Sequence, residues 1–281
     1  MNQSADPVPA IAEADARGEI KDIYQDIRAV TGVGVVNLIW RRFATVEGGL
    51  PFAWTAVRPL YVSGQVAAEG RSFRRQLQSP ELPLLPKTAL RAAGVDALGL
   101  RSIRAILDSY DRTNAMNLIG LGALRARLEG GGIAPPGHAA PPQPTAEKPL
   151  PPIPPLPALD ALDPDMRALV DMLNGFGEED GRVIASMYRH LAYWPGYLAL
   201  VWALLAPLAA DGRLQATLGQ TRKLGRSYAA AAASGVDMSA ADGLSPAVLE
   251  DVRDTLVLFT DHPISKMSAI CRALASATPA P

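Results

Sequence analysis

Few residues in this 281-residue chain could do chemistry, and most familiar arrangements are missing. The histidines, His138, His190 and His262, form no HxH or HxxxH pair, so an imidazole-bound zinc or iron is not expected. One cysteine, Cys271, makes neither an internal disulfide nor a thiolate metal site, and reads as a small buried hydrophobe. There is no P-loop, no GxSxG and no CxxC; Gly120-Leu121-Gly122 follows no strand and reads as close helix packing. Two candidates remain. Asn114 could aim a side-chain amide at a carboxylate or a water, or it could cap a helix after Asp111, Arg112 and Thr113. The run Ser186, Met187, Tyr188, His190 places Met187 and His190 one helical turn apart on about the same face. His190 reads first as a partly exposed ring beside Tyr188 and Tyr193, with a proton acceptor as the functional alternative, and core packing accounts for Met187.

That run lies in the most apolar stretch of the chain, Gly181 to Ala203. Glu178, Glu179 and Asp180 ahead of it are placed to open a helix, where acids complement the dipole. Leu191 to Ala210 carries no charge and is long enough to span a bilayer. Its counterpart in the first half carries Arg41, Arg42, Glu47 and Arg58, which favours a buried core helix in both.

The counterpart exists because the chain repeats itself. Met166, Leu169, Val170 and Leu173 follow Ile20, Ile23, Tyr24 and Ile27 at an offset of 146. Val183, Ile184, Met187 and Leu191 follow Val35, Val36, Ile39 and Phe43 at 148, as do Trp202 and Pro207 after Trp54 and Pro59. Arg253, Leu256 and Phe259 follow Arg104, Leu107 and Tyr110 at 149. Small loop insertions produce such a drift. Apolar residues recur at helical spacing and period-two runs of β-branched residues are lacking, so the expected fold is all-α. The expected plan is a loose arm over 1–15, a helical repeat over 16–129, a spacer over 130–158 holding 11 of the 25 prolines, a second repeat over 159–276, and a tail over 277–281. In the first repeat the spacing predicts helices from Gly18, from Pro51 towards Gln76, over 87–93, over about 97–111 and over 114–128. Two such units packed as a pseudo-dimer would leave a cleft between them, a common place for a ligand. The proline run reads as a semi-rigid polyproline spacer, or as a ligand for an SH3-like or WW-like partner.

The charge balance is −1, so no basic excess points to nucleic acid. The N-terminus has acids and no apolar core, unlike a signal peptide, which makes a cytoplasmic location the expectation. Nothing in the residues sets the oligomeric state.

The segments GEIKDIYQDIR (18–28), ATVEGGLPFAW (44–54), LRAAGVD (90–96), Asn114 ahead of an apolar helix, and LAYWPGYL (191–198) resemble the group I, or DL-, 2-haloacid dehalogenases, the DehI-type family. The resemblance spans most of both halves and falls away in the proline run. It implies two related helical repeats with the site between them. It also implies hydrolysis of short 2-haloalkanoic acids to 2-hydroxy acids without metal or organic cofactor: an aspartate of the second repeat deprotonates a water that attacks C2 directly. A carboxylate suits that task, because it raises the nucleophilicity of a held water.

Carried over residue by residue, the resemblance puts the family asparagine on Asn114 and the family serine on Ser186. The catalytic aspartate falls on Met187, two aromatic pocket positions fall on Val35 and Leu38, which are apolar but not aromatic, and a pocket tyrosine falls near Phe259, which lacks the hydroxyl. A thioether takes no proton from water at neutral pH. Three accounts follow: a non-catalytic protein that binds a small carboxylate or a protein partner, a substitute base such as His190, or a different reaction in the same cleft.

Overall fold

The computed structural model describes residues 8–131, 150–177 and 183–281. The calls on Glu178, Glu179, Asp180 and His138, and most of the proline spacer, lie outside the described residues. Among the described residues there are twelve α-helices and no strand.

α1 (Gly18–Thr31) ends at Gly32, whose left-handed φ of 68° suits glycine. α2 (Leu38–Phe43) follows, then α3 (Gly49–Val62) and α4 (Gln65–Gln76). The single helix expected from Pro51 to Gln76 is therefore two, broken at Ser63-Gly64, where Gly64 has φ 76°. After α5 (Lys87–Ala92) comes α6 (Ala97–Leu128), capped by Asp96, which accepts from the Gly99 amide at 2.6 Å.

α6 corrects another expectation. It runs unbroken through Asp111 to Asn114, so Asn114 caps nothing. Thr113 bonds back to the Ser109 carbonyl at 2.9 Å, and Asn114 is buried in mid-helix.

The second half holds α7 (Pro164–Gly175), α8 (Ser186–Leu191), α9 (Pro195–Ala210), α10 (Arg213–Ala232), α11 (Pro246–Asp261) and α12 (Pro263–Ala277). α2 and α8 are both six residues long and begin 148 positions apart, at Leu38 and Ser186. α4 and α10 also begin 148 apart; α6 and α11 begin 149 apart, and α6 and α12 end 149 apart. Where the first half has one long helix, the second has two, broken at His262-Pro263 because proline supplies no amide to continue the helix.

The apolar cores do not divide at the spacer. One joins α1–α4 to the C-terminal half of α6, the end of α10 and α11. The other joins α5 and the N-terminal half of α6 to α7–α9 and most of α12. α6 runs through both and packs against α3, α4, α8, α10, α11 and α12. No single described helix is long and apolar enough to cross a membrane.

The arm is also tied down where it is described. Val8 is buried, the Ile11 amide donates to the Arg41 carbonyl at 3.1 Å, and Tyr24 Oη donates to the Ile11 carbonyl at 3.0 Å.

Candidate functional site

α8 is the element the site is built on. The extended residues before it are held by Asn174 at the end of α7. Its Nδ2 donates to the Val183 carbonyl at 3.0 Å, and its Oδ1 accepts from the Ala185 amide at 3.0 Å. The Asn174 carbonyl is in turn held by Lys266 Nζ at 2.7 Å. At its other end α8 stops before Trp194, which stays out of the helical region ahead of Pro195, as a residue preceding proline does.

With α8 fixed, an inner cavity of about 40 Å³ forms between it, α6, α2 and the junction of α11 and α12. Asn114, Met187, Ser186, Leu38 and Phe259 all line it. Three polar residues that the sequence reading passed over line it too: Asn37, Tyr110 and Asn117. Tyr110, Asn114 and Asn117 stand at i, i+4 and i+7 on α6. Their helical spacing with Asn114, as uncharged polar side chains on one face, was the signal that could have found them.

Met187 is fully buried. The Cys271 thiol points at its Sδ, with the two sulfurs 3.0 Å apart, and Asn114 Nδ2 lies 3.8 Å from Cys271 Sγ. Burial pushes the Cys271 thiol well up, and the Asp111 carboxylate adds to the rise, so the sulfur keeps its proton. Asp111, one turn from Asn114, turns towards Arg74, 3.2 Å from its Nη1, and Arg272. No carboxylate lines the inner cavity among the described residues.

His190 does not share a cavity with Met187. It lines a larger outer cavity of about 600 Å³, as does Val35. The expectation of a shared face fails because α8 is packed on both sides, one residue pointing at α12 and the other at α6 and the proline segment. Nor is His190 partly exposed; it is buried, with Nδ1 2.7 Å from Tyr110 Oη and Nε2 3.1 Å from the Pro154 carbonyl. A carbonyl only accepts, so Nε2 carries the proton and Nδ1 accepts from the tyrosine. Burial pulls the ring down to about 4, so it is neutral at pH 7.

The outer cavity is roofed by residues 153–156 and 158–160. This described end of the proline spacer is not loose. Arg189 donates through Nε and Nη2 to the Pro157 carbonyl at 3.0 and 2.6 Å, His190 reaches Pro154, and Tyr193 Oη donates to the Pro155 carbonyl at 2.9 Å. An extended proline chain makes no internal hydrogen bonds, so its carbonyls stay available to such donors. Asn37, Tyr110 and Ser186 line both cavities and form the wall between them. The Ser186 hydroxyl faces that of Tyr110 without reaching hydrogen-bond geometry, and is buried with no partner among the described residues.

No family model matches the chain. A configuration-inverting 2-haloacid dehalogenase from Alcaligenes xylosoxydans xylosoxydans is 29% identical over 215 residues, spanning 72% of this chain and 69% of its own. Another of the same name, from Pseudomonas sp. (strain 113), is 27% identical over 233 residues, spanning 78% and 74%. A solved D-2-haloacid dehalogenase in complex with L-LA matches at a TM-score of 0.81 with 22% identity, covering 97% of this chain and 96% of that one. A mutant of a D-2-haloacid dehalogenase with D-2-CPA matches at the same TM-score and 21% identity. At such identities, likeness to the solved structures shows a shared all-helical fold.

Proposed function

We propose that the chain is a divergent member of the 2-haloacid dehalogenase family, and that it binds a short 2-substituted organic acid without hydrolysing it by the family's route. One observation carries this. The position that the resemblance gives to the catalytic aspartate holds Met187, fully buried against Cys271, in a cavity that no described carboxylate lines. A positioned base contributes roughly 10²–10⁴-fold to such a reaction, and a thioether supplies none of it.

What remains suits binding. The inner cavity is largely apolar, which fits a methyl group or halogen at C2, and Asn37, Asn114, Asn117 and Ser186 bring polar groups to it. The buried Ser186 hydroxyl is a group that a ligand would satisfy. His190 makes a poor substitute base, because both ring nitrogens are engaged and it lies behind Tyr110 rather than in the inner cavity. The interaction-protein reading is weakened by the roof, where three side chains already hold the described proline carbonyls.

The test is halide release from both enantiomers of 2-chloropropionate, with calorimetric binding in parallel. The expected result is saturable binding and no release by the wild type. Met187→Asp should then release halide slowly, at about 10²-fold or more over the wild-type background. Turnover by the wild type would overturn the proposal.

A further inference from the structure

We propose that a third cavity, between the C-terminal half of α6, α10 and the end of α11, binds a phosphate group, free or as a small ester, on Arg222 and Arg226. The site is independent of the small-acid reading, and its residues line neither cavity described above.

The two halves differ here in one charge. Arg222 on α10 stands 148 positions after Arg74 on α4, the offset between the starts of those helices. In the first half, Arg74 Nη1 meets the buried Asp111 carboxylate at 3.2 Å. The residue 149 positions after Asp111, the offset between the starts of α6 and α11, is Thr260. The second half thus has the arginine, and a hydroxyl where the first has a carboxylate. That hydroxyl donates to the Leu256 carbonyl at 2.7 Å and accepts from Arg125 Nη1 at 3.2 Å.

Nor do the neighbouring acids cancel the charge. The cavity, of about 290 Å³, is lined by Arg125, Arg222 and Arg226 and by two acids, Asp261 and Glu129. Both acids are engaged elsewhere. Glu129 takes Arg125 Nε at 2.7 Å, and Asp261 takes Arg125 Nη1 and Arg226 Nη2, each at 2.8 Å. Burial would raise the Asp261 carboxyl, but Arg226 and Arg125 hold it below its usual value, so it is ionised. Arg222 has only a neutral partner. Its Nε donates to the Asp261 backbone carbonyl, and its two terminal nitrogens have no partner among the described residues. Three cations against two anions leave one positive charge over.

The space around that charge is open. Gly122, Ala126, Gly225 and Ala229 supply much of the lining and add no bulk. Thr260, Gly225 and Ala229 are buried at its base, while Arg226, Glu129 and Ala230 are exposed at its mouth. An anion entering from solvent meets Arg222 and Arg226 four residues apart, on one face of α10. Guanidinium N–H pairs match the oxygens of a phosphate in spacing and in charge.

The experiment titrates inorganic phosphate and, separately, methyl phosphate into the full chain by calorimetry, with chloride holding the ionic strength constant. Saturable binding is expected. Tighter binding of methyl phosphate makes the ligand an ester; otherwise it is the free ion. Arg222→Gln should weaken binding by about tenfold or more. Arg213→Gln removes the same charge from the exposed start of α10 and should leave the affinity within about twofold. Thr260→Asp, which sets the first half's carboxylate opposite Arg222, should abolish binding by occupying the guanidinium. The wild-type titration needs no variant to fold: no saturable binding of either phosphate overturns the proposal. So does undiminished affinity in a folded Arg222→Gln. Equal weakening by Arg213→Gln and Arg222→Gln also overturns it, because that would be an effect of net charge and not of a site.

Discussion

His190 is a buried imidazole that has no charge to lose and a proton to refuse. Its ring is pulled from 6.5 to about 4 by desolvation, against the help of the Pro154 carbonyl and with a further push from Arg189 and Arg41. In the unfolded chain it titrates near 6.5. Between those values the unfolded state binds a proton that the native state does not, so stability falls as pH falls through that window. The loss is fully absent above 6.5 and reaches on the order of 3 kcal/mol near pH 4, below which both states are protonated. His190→Gln should flatten the dependence of urea-unfolding stability on pH between 6.5 and 4. A slope that does not change in the variant would show that the ring is not the group refusing the proton. The same residue marks a limit of reading the sequence. Helical spacing put it one turn from Met187, but which side of α8 meets α12 and which meets the proline roof is decided by tertiary packing. Residue types alone could not give that.

At the scale of elements, much of the molecule could be read in advance, and the exceptions have physical causes. The all-helical composition, the glycine stop after α1 and the paired six-residue helices all have signals in the sequence. The continuity of α6 had none, since Asp111-Arg112-Thr113-Asn114 looks like a cap but is buried among other helices, which satisfy what the propensities disfavour. Arg41 and Arg189 were passed over because a charged residue is expected at the surface, and nothing local says that each half will bury one. The contact between α9 and α5 was equally silent. At Gly196 a Cβ would lie 2.0 Å from the Ala93 carbonyl oxygen, so the two backbones touch where the halves meet. Gly196→Ala should lower stability by roughly 3 kcal/mol, through the backbone shift it forces. Gly219, exposed within α10 with open space around it, is the control: Gly219→Ala should raise stability by up to about 1 kcal/mol. Equal thermal shifts in the two variants would rule out the close approach as the cause.

For the whole molecule, the sharing of α6 between both cores matters more than the proline spacer that separates the halves in sequence. A fragment ending at residue 131 would expose the N-terminal half of α6, with Ile103, Ile106 and Leu107 stripped of their partners from α7–α9 and α12. Expressed alone, residues 1–131 should show no cooperative urea transition; a sigmoidal one with native-like helicity would mean that the first half folds by itself. We read the matching helix starts as the mark of a duplication whose copies then merged their interiors. α8 gives that history a direction. Arg189 and His190 on this short helix, with Tyr193 just after it, tether the roof, while Met187 faces the other way into the inner cavity. The tether and position 187 are thus mutationally separable. A lineage can exchange the side chain at 187 and keep the enclosure, so such a pocket can outlive its original reaction and be recruited for another.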